Sequence, residues 1–204
     1  MALIQEQEGG RYLTIVGGKV REKSEEGAEG AKLREGTLKD GTTYAKWEKS
    51  YNGVSGIITE VKFYDGLYGK NVLITIKDPV DETEVILSLG ASNRNTGVPF
   101  LLALPNLDLT KEVTIKPYDF EDVKSKKRVS GLSIQQGGEK IQSAFYDPEK
   151  KKNLLGMPEP IKNKKKEIDW SLHFKLRDAW LQEYLVDNMY VIDSAPAAED
   201  GDDF

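Results

Sequence analysis

The sequence predicts a mainly β protein: a small five-stranded barrel with an N-terminal β extension, one C-terminal helix and a disordered acidic tail. Three observations predict it. Between Tyr44 and Tyr146, short runs of alternating apolar and polar residues are separated by turns rich in Gly, Pro and Asp. Between Glu167 and Met189 the period changes to that of a helix. Beyond it, the segment Ala195 to Phe204 carries four acids, no base and no packing pattern, and cannot bury enough apolar surface to offset its ordering entropy.

Element by element, Arg11 to Val20 opens as a strand-like run broken by Gly17-Gly18. Glu22 to Gly41, rich in Glu, Lys and Gly, reads as a mobile loop or excursion. Ala45, Trp47 and Tyr51 then alternate with Lys46, Glu48 and Ser50, a half-buried strand that completes the N-terminal extension. The first barrel strand, Val54 to Asp65, is read with Ile57, Thr59, Val61 and Phe63 on one face and Ile58, Glu60, Lys62 and Tyr64 on the other, and Trp47 and Phe63 read as core. Asp65-Gly66-Leu67-Tyr68-Gly69 is turn chemistry, and Val72, Ile74 and Ile76 point inward on the returning strand. After the turn Asp78-Pro79-Val80-Asp81 a third strand places Val85, Leu87 and Leu89 on one side. Ser92 to Leu109 is an irregular connection with one or two helical turns. Lys111 to Phe120 is the fourth strand, the basic loop Glu121 to Lys127 follows, and Arg128 to Gln136 pairs with Lys140 to Tyr146 across Gly137-Gly138. Three meandering strands, a connector with a short helix, a strand and a hairpin match the five-stranded OB barrel; an SH3-like or other small barrel fits the same count.

The predicted organisation is therefore a barrel with its N-terminal extension over residues 1–147, a basic linker over 148–168, a helix over 169–190 and the acidic tail over 191–204. Asp169 is placed to cap the helix, and Phe174, Leu181 and Leu185 share a face. An exposed apolar face there would favour a homodimer, and burial on the barrel a monomer. The N-terminus lacks the basic and apolar regions of a signal peptide, and the most apolar run, Val98 to Leu104, is too short to span a bilayer. With zero Cys there is no disulfide framework or thiolate metal site, so the expectation is a cytoplasmic protein with no membrane partner.

The formal net charge of −5 divides unevenly. Five of the 34 acids lie from Asp193 onward with no Lys or Arg, leaving 29 acids against 29 bases over residues 1–192. Within that neutral body the bases clump at Lys124 to Arg128, at Lys150 to Lys152 and at Lys162 to Lys166, and local patches are what a phosphate backbone meets. Catalytic constellations are scarce. His173 stands alone, so it builds neither a triad nor a zinc site. Neither Gly17-Gly18-Lys19 nor Gly66 to Lys70 completes a phosphate-binding loop. The acids Asp81-Glu82-Glu84 and Asp119-Glu121-Asp122, which a magnesium-dependent nuclease would use, sit at turns where acids are ordinary. The expectation is a chain that is not an enzyme and takes no cofactor.

Sequence-tolerant binding of single strands needs aromatic faces for stacking and cations for phosphates. The loop after the first barrel strand carries Tyr64, Tyr68 and Lys70, with Lys77 on the outward side of the second strand. The fourth strand and the loop after it carry Lys116, Tyr118, Phe120, Lys124, Lys126, Lys127 and Arg128. The chain then ends Glu199-Asp200-Gly201-Asp202-Asp203-Phe204, a large aromatic in an acidic setting suited to an apolar pocket with a basic rim. With these features assembled, the chain resembles a bacteriophage-type single-stranded DNA-binding protein. That resemblance implies an OB fold that coats single-stranded DNA through Tyr64, Tyr68, Lys70, Lys77, Lys116, Tyr118, Lys124, Lys126, Lys127 and Arg128 in the cytoplasm of a bacterial host. It further implies that Glu199, Asp200, Asp202, Asp203 and Phe204 recruit replication, repair and recombination enzymes. A β-barrel adaptor without nucleic-acid binding is the alternative.

Overall fold

The computed structural model describes residues 11–37, 41–67, 69–162 and 167–193. Among the described residues it has one large mixed sheet, which is not closed into a barrel, a second sheet of two short strands, and two α-helices. The large sheet starts with β1 (Arg11–Val16), β2 (Lys19–Lys23), β3 (Lys32–Thr37) and β4 (Thr43–Tyr51). The central strands are β5 (Val54–Gly66), β6 (Gly69–Lys77), β7 (Glu84–Gly90), β8 (Glu112–Glu121) and β9 (Arg128–Gln136). Helix α1 (Gly97–Ala103) and a 3-10 turn at Leu104–Asn106 fill the connection between β7 and β8, as the irregular Ser92–Leu109 pattern predicts. Short β10 (Glu139–Lys140), β11 (Tyr146–Asp147) and β12 (Lys152–Asn153) precede α2 (Trp170–Asp187) and β13 (Ile192–Asp193).

Strand order is β10-β9-β8-β5-β6-β7-β1-β2-β4-β3, with β13 added in parallel beside β5. Counting the five central strands in chain order, their neighbours run fifth, fourth, first, second, third. The five strands of the predicted barrel do not close on one another, because β7 gives its free edge to β1 in a parallel ladder from Arg11↔Val85 to Leu13↔Leu87. That ladder satisfies the edge hydrogen bonds that closure would have used. The β1–β2 turn instead closes round onto β8: a Cβ at Gly18 would lie 2.7 Å from the Asp119 backbone nitrogen, so only glycine fits.

The core follows from period-two alternation on this curled sheet. Val72, Ile74 and Ile76 of β6, Leu87 and Leu89 of β7, and Val113 and Ile115 of β8 are buried in one cluster with Phe100 and Leu101 of α1. In β5 the alternation shifts. The register against β6 slips between Ile58 and Glu60, so Ile58, Val61 and Phe63 are buried while Thr59 is exposed. This bulge overturns the expected grouping of Ile57 and Thr59 with Val61 and Phe63: one extra residue reverses the face. Trp47 is half-buried opposite Leu33 rather than part of the core.

The loop expected over Glu22–Gly41 is also corrected, since Lys32–Thr37 pairs along its whole length with β4. The partner strand expected over Lys140–Tyr146 reduces to Glu139–Lys140, held by Gly137 and Gly138 at φ 60 and 84. The 148–168 linker contains the end of the β11–β12 hairpin and an isolated bridge from Lys162 to Ile168. Asp169 caps α2 as predicted, its carboxylate accepting from the Leu172 N–H at 3.0 Å. Leu181 and Leu185 enter the common core, and buried Phe145 meets Trp180 and Tyr184 edge-on at 5.4 and 5.1 Å. The C-terminal half of α2 thus packs on its own sheet. No helix among the described residues is long and apolar enough to cross a membrane.

Candidate nucleic-acid interface

Directly opposed residues in neighbouring strands share a sheet face, so the register assigns every side chain to the core or to the outside. In β8, Val113, Ile115 and Pro117 are buried, which turns Lys116, Tyr118 and Phe120 outward. Tyr118 lies opposite Gly131 of β9, and a Cβ added there would overlap the tyrosine ring. Glycine lets the ring lie flat against the β9 backbone, which leaves its other face to solvent. Phe120 sits beside it at 5.9 Å between centroids and is 52% exposed, against 37% for Tyr118.

The loop joining β8 to β9 continues this surface and is itself ordered. Asp122 accepts from the Ser125 N–H through its carboxylate at 2.9 Å and from the Lys126 N–H through its carbonyl at 2.8 Å. Its own N–H donates to the Lys127 carbonyl at 2.9 Å, and Lys126 takes φ 55 to complete the turn. The Ser125 bonds hold the Asp122 carboxyl below its ordinary pKa. Built this way, the turn directs Lys124, Lys126 and Lys127 into solvent.

Arg128 differs from these lysines. Its Nε and Nη2 donate to both oxygens of Asp119 at 2.6 and 2.7 Å, a bidentate pair that lowers the Asp119 pKa and raises that of Arg128. The guanidinium is therefore engaged in tying β9 to β8 near the hairpin end. Asn95, just before α1, donates to Ser130 at 2.9 Å, and Gly17, Gly18, Asn93 and Thr96 line a shallow concavity with Tyr118 and Gly131.

The remaining predicted residues divide. Tyr64, opposite Asn71, and Lys77, opposite Glu84, face outward at opposite ends of the β5–β6–β7 face, and the Lys77 ammonium lies 3.4 Å from Glu82. Lys70 turns the other way: its Nζ lies 5.4 Å from the ring of buried Phe63, in a hollow shared with Gln182, Glu183, Val186 and Asp187 of α2. Tyr68 and the docking tail Glu199, Asp200, Asp202, Asp203 and Phe204 lie outside the described residues. Three of the acids considered for a metal have other duties: Asp81 accepts from the Thr83 N–H and hydroxyl, and Asp119 and Asp122 hold the hairpin. No group of three or more acidic or histidine side chains among the described residues is arranged to hold a metal ion.

Sequence reasoning missed two aromatic positions. Tyr12 of β1, 55% exposed, lies opposite Ile86 and continues the outward β6–β7 face. Trp170, 53% exposed, stacks on Phe174 at 5.6 Å and 24°, with the Arg94 guanidinium 3.7 Å from the Phe174 centroid. His173 is buried against both rings, at 5.9 and 5.5 Å. Alternation within Arg11–Val16 was the available signal for Tyr12; nothing in the sequence joins Arg94 to Phe174. Comparison with protein-family models, curated proteins and solved structures finds no match to this chain.

Proposed function

We propose that this chain binds single-stranded DNA without catalysing a reaction, as bacteriophage-type single-stranded DNA-binding proteins do. The observation that carries this reading is the exposed Tyr118–Phe120 pair, seated on Gly131 and continued by a turn that displays three lysines. Bases stack on flat exposed rings whatever their identity, and the lysines follow the phosphates. The order fifth-fourth-first-second-third among the central strands, with a short helix between the third and fourth, supports an OB-type arrangement in which the β1–β2 hairpin stands where the third and fifth strands would pair. The acidic tail ending in Phe204 then serves two ends: it recruits replication and recombination enzymes, and it competes with DNA for the lysine-bearing surface.

Fluorescence anisotropy with labelled oligo(dT) and a matched duplex, at low and moderate salt, tests this. The reading expects tight single-strand binding, weak duplex binding and a steep salt slope, with a chain ending at Ala198 binding more tightly at low salt. Absence of binding by both chains overturns it. The adaptor reading then leads, favoured by Trp170, Leu172 and Leu176, which are exposed on the first half of α2.

A further inference from the structure

We propose that the four-stranded ribbon β1–β4 is a second nucleic-acid track, onto which a bound single strand runs from the outward face of β6–β7. The inference rests on the single-strand reading above. It begins in the sequence of β2, Lys19-Val20-Arg21-Glu22-Lys23, and of β3, Lys32-Leu33-Arg34-Glu35, where bases occupy alternate positions. A strand turns alternate residues to one side, so each run presents its cations on a single face.

The register shows that it is the same face. Thr75, Ile86 and Tyr12 lie in one row across β6, β7 and β1; Thr14, Arg21 and Ser50 form a row across β1, β2 and β4. Lys23, Glu48 and Lys32 form the next, and Lys46 stands opposite Arg34. Leu13 and Val20, on the alternate positions, are buried in the core, which fixes this face as the outer one. Six cations, Lys19, Arg21, Lys23, Lys32, Arg34 and Lys46, therefore share it with the single carboxylate of Glu48, which lies 3.4 Å from both Arg21 and Arg34. Glu22 is on the opposite side, occupied by Arg11 and Tyr51. Glu25, Glu26 and Glu29 lie in the turn beyond Lys23 and Lys32, so the cationic field is confined to the strands. Such a field is complementary to a polyanion.

A second observation selects a nucleic acid among polyanions. Tyr44 lies opposite Gly36, and a Cβ there would sit 2.6 Å from the phenol oxygen and 2.7 Å from Cζ, so this ring too lies flat on the sheet. The Arg34 guanidinium and the Lys46 ammonium flank it at 5.3 and 5.8 Å from the centroid. The arrangement repeats that of Tyr118 over Gly131: a flat ring for a base, with cations alongside for phosphates.

The test is a triple variant, Lys23→Ala, Lys32→Ala and Lys46→Ala, with a matching Lys→Arg triple that keeps the charge. Binding is read by anisotropy across a salt series on an oligo(dT) of about 10 nucleotides, within the span of one OB-type unit, and on one about three times as long. The proposal expects the alanine triple to bind the short strand as the parent does. On the long strand its salt slope falls by about 2 and its affinity by about 100-fold at 0.1 M salt, while the arginine triple keeps both. Unchanged slope and affinity of the alanine triple on the long strand, with the parent binding normally, overturns the second track alone. Failure of the parent to bind either strand overturns the single-strand reading and the track with it.

Discussion

Two aromatic groups of this molecule meet opposite fates. At the helix-covered end, Phe145 is fully buried and takes Trp180 and Tyr184 edge-on. At the β8–β9 hairpin end, Tyr118 and Phe120 lie against each other with one side open and lysines beside them. The first group joins α2 to the sheet core and contributes stability. The second buries less, and a glycine opposite Tyr118 keeps its ring flat and accessible. Neighbours, more than residue type, separate the structural aromatics from the candidate functional ones.

The comparison is broken most directly at Phe145. Its replacement by Ala removes a buried ring from between two others, with an expected loss of about 3–5 kcal/mol in chemical denaturation. Next comes the hairpin turn, where Lys124→Ala, Lys126→Ala and Lys127→Ala together are expected to lower the salt slope of oligo(dT) binding by about 2, leaving the melting temperature nearly unchanged. Tyr118→Ala should cost about 1–3 kcal/mol of single-strand affinity by anisotropy. If Tyr118→Ala instead costs folding stability on the scale expected of Phe145→Ala, about 3–5 kcal/mol, the two aromatic groups are alike and the distinction fails.

The smallest expected effect is electrostatic. Glu22 accepts from Arg11 at 2.6 Å and from the Tyr51 hydroxyl at 2.7 Å, and the Arg11 hydrogen bond, first, holds its carboxyl below the usual 4.5. A depressed folded pKa contributes stability that is present above the unfolded value and lost as pH falls through the folded one. Glu22→Gln should therefore flatten the loss of melting temperature below about pH 4.5, by a degree or two.

Legibility in the sequence followed the same division between inside and outside. Strands with one face in the core carry an apolar alternation, and β6 and β7 were placed with their buried residues from that alone. β3 was missed because Leu33 is its only large apolar residue and is itself exposed; its alternation is one of charge, which reads as a loop. The bulge at Thr59 was invisible because Ile57, Ile58, Val61 and Phe63 suit either face until the β6 register chooses. Of the candidate site, the hairpin lysines and Tyr118 were legible as a local cluster. The side of the sheet that Lys70 takes was not legible, since its turn toward α2 depends on a helix more than 100 residues later in the chain. The basic ribbon face depends on the pairing of β2 with β4 across residues 24–42 and of β1 with β7, which no local pattern specifies.

The central claim, that single-stranded DNA lies on the outward aromatic surface, is tested most directly by ultraviolet cross-linking of bound oligo(dT) followed by peptide mapping. The account predicts thymine adducts on the peptide bearing Tyr118 and Phe120, and on longer strands also at Tyr12 or Tyr44. Adducts confined to the peptide around Trp170 and Phe174, with tight binding and none on the β8–β9 hairpin, would contradict it.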